Sequence, residues 1–400
     1  MDIRPELRRA PPDTRPLPPS DPVLVEHIRA EIETTGPLTF ARFMELALAD
    51  PEHGYYATSE DRPTRAGDFL TAPELHPIFG AVVARSLDEQ WRALDRPARF
   101  LVREYGAGTG ALAESILRGL ADDRRELVDA IAYEPVEITA VRLDRIRERL
   151  AGAGFAATLA AAEASEPPLD GAILANEFLD ALPVHRVVQR DGRLVERHVG
   201  WSAEQSRFED VDAAPSSPAV AGRLSAEGIE LAEGQAAEVR LATDDWVAAM
   251  SGRIGRGFVT IVDYGAPATD LYGPTRHDGT LRAYTGQRAH ADPYVAIGRQ
   301  DLTAHVDFTA LERAAAAQGW RSLGLTTQAE FLMGSGFGAL FAARQSAPDV
   351  EPEAYLALRA SAARLLDPRA LGGFRVLVLG RGVPDDTALG GLGYRLQGQE

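Results

Sequence analysis

The stretch Arg99–Gly110, reading RFLVREYGAGTG, constrains this chain more than any other segment. The apolar run Phe100-Leu101-Val102 leads to Glu104. Three glycines follow at alternate positions, Gly106, Gly108 and Gly110, and a helical pattern, ALAESILRGL, comes directly after. A strand, a glycine loop and a helix in that order bring the backbone of an α/β sheet close to a nucleotide-like ligand. Past Gly110 a second predicted strand, 129–133, ends in Glu134. A carboxylate at the tip of the second strand accepts two hydrogen bonds at once and so suits the two hydroxyls of a ribose. A ribose-bearing cofactor over the carboxyl ends of the sheet is the expectation.

The formal net charge of −17 argues against duplex binding, where affinity comes from cations on phosphates. There is no cysteine, which removes thiol nucleophiles, thiolate metal sites and disulfides. All 42 basic residues are arginine, so a Walker lysine, Schiff-base catalysis and a pyridoxal-phosphate lysine are excluded. Residues 1–20 are rich in Pro, Arg and Asp and lack an apolar core, unlike a signal peptide or a membrane span, and read as a disordered tail. No apolar run elsewhere is long enough to span a bilayer. A cytoplasmic protein without nucleic-acid or membrane partners, free to form oligomers, is expected.

Helical spacing runs through residues 21–50, broken at Gly36-Pro37, and a further helix is expected from about His76 to Leu94. Strands follow at 100–104, near Glu134, weakly at 155–159, then at 171–175, 258–262, 321–325 and 374–379. Their alternation with helices predicts a mostly parallel sheet covered on both faces. The organisation expected is a tail, 1–20, a helical lid region, 21–97, and a cofactor-binding domain, 98–400. Insertions interrupt that domain at about 184–245 and 266–310. The first begins with an alternating pattern around Asp191-Gly192, a β-hairpin signal.

Gly106-x-Gly108-x-x-Ala111 also satisfies a relaxed dinucleotide fingerprint, which keeps NAD(P) open. Three features favour S-adenosylmethionine. Glu104 stands two residues before the first glycine, where a carboxylate can hold an α-ammonium that NAD lacks. A helical region precedes the first strand as a lid would. The strand at 171–175 ends in the polar cluster Asn176-Glu177-Phe178-Leu179-Asp180, where an acceptor would sit. No nicotinamide-facing catalytic dyad is evident.

Several blocks, in this order and spacing, resemble the MidA-like methyltransferases, a family that includes a mitochondrial complex I assembly factor. They are GPLTFARFMELALADPEHGYY, GDFLTAPELHPIFG, EYGAGTGALAESIL, ANEFLDALPVHRVV, IVDYG, GTLRAY, DLTAHVDF, TQAEFL and GGFRVLVLG, spanning about Leu38 to Gly380. Ala107 departs from a proline common in the family's first motif, which leaves the backbone donors in place. The resemblance implies a class I, Rossmann-like fold with a mostly parallel seven-stranded sheet. The residues read as holding S-adenosylmethionine are Glu104, Gly106, Ala107, Gly108, Gly110, Glu134 and Asn176. For the mitochondrial member the resemblance implies methylation of a protein arginine.

An arginine acceptor needs carboxylates to localise the guanidinium charge on one nitrogen and aim another. Glu177 is the first candidate, with Asp180 and Asn176 beside it and Glu74 from the lid. These carboxylates are costly to desolvate around a neutral acceptor and favour a cationic one. Asn176 and Asp180 could instead cap the following turn, and Thr71 and Glu74 fit a capping box. Asp68, Phe69 and Thr71 are placed in the lid, with His185 and Tyr264 lining the acceptor side. His305 and Asp307 alternate along a strand with Thr303 and read as a hydrogen-bonded network in preference to a metal site. No metal is expected. The function expected is transfer of a methyl group to an arginine of a partner protein. The alternatives are methylation of a small molecule and an assembly factor with a vestigial cofactor pocket.

Overall fold

A computed structural model describes residues 16–58, 71–160, 168–285, 288–346 and 351–396. Six strands make the large sheet: β1 (Phe100–Tyr105), β2 (Ile131–Val136), β3 (Leu169–Asn176), β4 (Ile254–Asp263), β5 (Arg321–Thr327) and β6 (Arg375–Arg381). Their spatial order is β5-β6-β4-β3-β1-β2. The four strands β2, β1, β3 and β4 run parallel, and β6 is antiparallel to both its neighbours. The middle strands read as continuous apolar runs because both their faces are covered. One face packs under helices Ile78–Ala93 and Ala111–Asp123, around Phe79, Val82, Ile116 and Phe258. The other packs under helices Ala242–Ser251 and Phe308–Ala317, around Ile173, Val259, Trp246 and Leu311.

The fold class follows the expectation, with one local difference. Where a weak strand is expected at 155–159, the chain makes a 3-10 turn, Ala156–Thr158, and a single parallel bridge joins Leu159 to Tyr133. Two consecutive alanines give this segment too little cross-strand packing to sustain a ladder.

A second sheet is antiparallel throughout. It contains Leu38–Thr39, Arg193–Ser202, His185–Arg190 and Ala236–Val239 in that order, with Arg207–Ala213 also on Arg193–Ser202. Its hairpin turns at Asp191-Gly192, whose positive φ angles (50° and 70°) match the right-handed twist of the flanking strands. Helices Pro22–Thr35 and Phe40–Ala49 bury Leu24, Ile28, Phe40, Phe43 and Met44 against Val184, Val199, Phe208 and Leu302. The described parts of residues 21–97 pack in two places. The first two helices share a core with both insertions, whereas Ile78–Ala93 covers the large sheet. The apolar stripe of each helix decides its partner. Of the expected tail, residues 1–15 lie outside the described residues. Ser20 is docked, its Oγ accepting from the amide of Ile297 at 3.0 Å.

Candidate active site

The carboxyl ends of β1, β2, β3 and β4 open into a cavity of about 820 Å³, lined also by Met44, Tyr55, Tyr56, Tyr284, Asp301 and Thr303. On one wall β1 ends at Glu104 and Tyr105, and the glycine loop turns back across the strand tip. Gly106 and Gly108 have φ of +66° and +57°, a left-handed backbone that glycine adopts without strain. A Cβ at Gly106 would stand 3.0 Å from the Phe178 ring, whereas one at Gly108 would meet only the Gly106 carbonyl oxygen, at 3.9 Å. The Glu104 side chain is buried and accepts from the Tyr133 hydroxyl at 2.7 Å. Burial, joined by the neighbouring Glu137, pushes it up to about 8 despite that hydrogen bond. A buried carboxyl of this kind is short of a cation, and an α-ammonium fits it.

Glu134, expected at the ribose, lies off the cavity and is paired with Arg103 (2.7 Å) and Arg253 (3.1 Å). The register explains the correction: Arg103 stands opposite Glu134, and the tip residue Tyr105 stands opposite Val136. The strand runs past Glu134, so the next carboxylate, Glu137, is the one at the rim. Its Oε1 accepts from the Gly108 amide at 2.5 Å and its Oε2 from Ile138 at 3.0 Å, and it lines the cavity.

The opposite wall is built by the turn after β3. Glu177 takes a left-handed φ of 50°, uncommon for a residue with a side chain, and its amide is tied to the Val262 carbonyl at 2.8 Å. Its Oε1 accepts from the Ala72 amide and from Asn176 Nδ2, both at 3.2 Å. Burial first, then the charge of Asp180, push Glu177 up to about 8. Asp180 accepts the Tyr264 hydroxyl hydrogen and is itself raised by burial. Asp263, fully buried beneath, accepts from the amides of Leu179 (2.9 Å), Asp180 (3.2 Å) and Tyr264 (2.8 Å). Three buried oxygens on this wall have no hydrogen-bond partner among the described residues: Asn176 Oδ1, Glu177 Oε2 and Asp180 Oδ1. All three belong to residues that line the cavity, and a buried unpaired acceptor calls for a donor.

The structure brings together Glu74, Thr71, Glu104, Gly106, Ala107, Gly108, Asn176, Glu177, Asp180 and Tyr264 around one cavity. Gly110 stands behind it as the left-handed residue before helix Ala111–Asp123. His185 is not at the cavity. It heads a strand of the second sheet, where alternation turns its ring onto the buried Glu196 at 2.8 Å. The capping box at Thr71 does not form: its side chain makes no cap hydrogen bond, and Glu74 faces the cavity, its carboxyl raised by burial. Asp68 and Phe69 lie outside the described residues. His305 bonds Arg276 at 2.7 Å, and Asp307 caps helix Phe308–Ala317 through the Ala310 amide. Among the described residues no three His, Cys, Asp or Glu side chains converge as a metal site. No described helix is long and apolar enough to cross a membrane. Tyr56, which donates to Asp301 at 3.0 Å across the mouth, has no sequence signal, since the two lie 245 residues apart.

Comparisons with known proteins bear on this site. The family described as "Putative S-adenosyl-L-methionine-dependent methyltransferase" matches residues 82–326. A mouse protein named "Protein arginine methyltransferase NDUFAF7, mitochondrial" is 30% identical over 78% of this chain and 74% of its own length. Its Drosophila melanogaster homolog is 29% identical over 74% and 70%. A Burkholderia thailandensis crystal structure bound to S-adenosyl-homocysteine is 32% identical, covers 94% of this chain and 98% of its own, and superposes with a TM-score of 0.83. The curated relatives are mitochondrial by name, which overturns the expectation of a cytoplasmic protein.

Proposed function

The chain belongs to this family of S-adenosyl-L-methionine-dependent methyltransferases, and on that footing we propose that its methyl acceptor is an arginine side chain of a partner protein. The observation that carries the proposal is the row of unpaired acceptors Asn176 Oδ1, Glu177 Oε2 and Asp180 Oδ1. A guanidinium offers five N–H donors in a fixed fork and a positive charge, and so satisfies several acceptors and two carboxylates together. A hydroxyl offers one donor and leaves the rest unpaired. The names of the curated relatives support the same acceptor.

The residues divide the work. Glu104 would hold the α-ammonium of the cofactor, Glu137 its ribose hydroxyls, and the 106–110 loop would let the backbone approach. When bound, S-adenosylmethionine supplies a methyl group already activated by a sulfonium. Glu177 and Asp180 draw the guanidinium charge toward the nitrogens they bond, which leaves the nitrogen facing the cofactor side as the nucleophile. Burial holds Glu177 up to about 8 in the free protein, and the guanidinium cation would lower it, so that the ionised carboxylate can take up the proton the guanidinium sheds on transfer. Tyr264 fixes the rotamer of Asp180 through its hydroxyl. Tyr56 and Tyr284 line the same cavity and shield it from water.

Replacing Glu177 with Gln tests the reading. S-adenosyl-homocysteine affinity should be kept and methyl transfer should fall by orders of magnitude, because the charge lost acts on the transition state. Full transfer by Glu177→Gln contradicts it.

A further inference from the structure

Arg240 follows strand Ala236–Val239 of the second sheet and is 6% exposed, yet it reaches under the acceptor wall. Its Nε donates to the Leu182 carbonyl at 3.2 Å and its Nη1 to that of His305 at 3.1 Å. Its Nη2 donates to Asp180 O at 3.1 Å and Ala304 O at 2.7 Å. Every guanidinium nitrogen is used, and every partner is a main-chain carbonyl. A guanidinium buried without a hydrogen-bonded carboxylate costs several kcal/mol in desolvation, so the carbonyl cage needs a compensating purpose. On the other side of the same turn, the buried Asp263 carboxylate accepts the amides of Leu179 and Asp180. The 179–182 turn is thus gripped at its amides by a carboxyl group and at its carbonyls by a cation. The Ala304 amide, which donates to Asp180 O at 3.1 Å, ties the turn to the 303–305 segment. Asp180, Leu182 and Thr303 all line the cavity.

We propose that Arg240 is a positioning residue of the methyl-transfer site, clamping the Asp180 turn to the 303–305 segment so that Asp180 keeps its place on the acceptor wall. This rests on the reading that the wall holds the acceptor. The clamp also carries charge. The groups around Asp180 are Glu177, Asp263, Tyr264, Tyr56, Tyr284 and Arg240. Of these, Arg240 is the cation, and it draws the Asp180 carboxyl down against the burial that raises it. A side chain serving only to fill space would leave that titration alone.

The test is the titration of Asp180 in the full chain, followed by carboxyl-carbon NMR with labelled aspartate, its signal assigned through Asp180→Asn. In Arg240→Gln the Asp180 midpoint should move up by about one pH unit or more, since an opposite charge has been removed at close range. S-adenosyl-homocysteine affinity, read by calorimetry, should stay within about threefold, as the cofactor wall is untouched. An unchanged Asp180 midpoint in folded Arg240→Gln overturns the proposal. Should that variant fail to fold, Arg240→Lys decides by labelling of lysate proteins from methyl-labelled cofactor. It keeps the charge and loses the fork, so a tenfold or greater loss of transfer, about 1.4 kcal/mol, supports the clamp, and a wild-type rate overturns it. If the wild-type protein labels no protein, the acceptor reading fails while the NMR result still stands on its own.

Discussion

The amide nitrogen of Gly108 lies 2.5 Å from Oε1 of Glu137, joining the glycine loop after β1 to the tip of β2. The contact fixes which carboxylate stands at the cavity rim. It also gives the loop a partner outside itself, which holds Gly108 in its left-handed conformation facing the cavity.

Glu137→Ala should weaken S-adenosyl-homocysteine binding by about 1–3 kcal/mol, the cost of leaving ligand hydroxyls and the Gly108 amide unpaired. Glu134→Ala should leave the affinity near wild type and lower stability, because it strips the carboxylate from Arg103 and Arg253. Calorimetry and denaturant unfolding of the two variants separate these outcomes. Equal losses of affinity would return the ribose role to Glu134.

How far the sequence was legible follows from that pair. The strand–loop–helix at 99–123 is local, so three glycines and one apolar run were enough to place it. The tip of β2 is not local: it depends on the pairing of Tyr105 with Val136, which no spacing within 129–137 reveals. The cluster Asn176-Glu177-Asp180 was readable because one turn carries all three. Arg240 was not, since its four carbonyl partners lie 58 to 65 residues away in sequence. His185 was misplaced because alternation in a hairpin gives two faces and does not say which one meets the cavity.

Cofactor binding should release protons. Glu104, pushed up to about 8, is mostly protonated at neutral pH in the free protein, and an ammonium partner lowers it. Calorimetry of S-adenosyl-homocysteine at pH 7, in buffers of different ionisation enthalpy, should show release of about one proton, falling toward zero well above pH 8. Glu104→Gln should abolish that release. A buffer-independent enthalpy in the wild type would mean Glu104 is already ionised.

The same raised carboxyls set a stability slope. A group whose folded value exceeds its unfolded one, here about 8 against 4.5 for Glu104 and Glu177, contributes stability that is complete below 4.5. That contribution is lost as pH rises through about 8. The free protein should therefore lose unfolding free energy between pH 4.5 and 8, and Glu104→Gln with Glu177→Gln together should flatten that stretch. A slope unchanged in the double variant would assign it to other groups.

Asp21 works in the opposite sense. It caps helix Pro22–Thr35 through the amides of Val23 and Leu24 and lies 3.3 Å from His53 Nδ1, and against burial the Leu24 amide, His53 and the Val23 amide hold its carboxyl low. Its contribution is present above its unfolded value, 3.8, and is lost as pH falls through the lower folded value. Asp21→Ala should cost about 1–2 kcal/mol at pH 7 by denaturant unfolding, and less at the acid limit of folding. An equal cost at both would point to packing.

The acceptor is the centre of the account, and it can be read directly. The protein is incubated with methyl-labelled S-adenosylmethionine and cell lysate, and the labelled fraction is hydrolysed to amino acids. Label should appear in protein as methylated arginine and should vanish with Glu177→Gln, which keeps the cofactor wall intact. Label confined to a small neutral metabolite, or protein label carried on another side chain, would contradict the account.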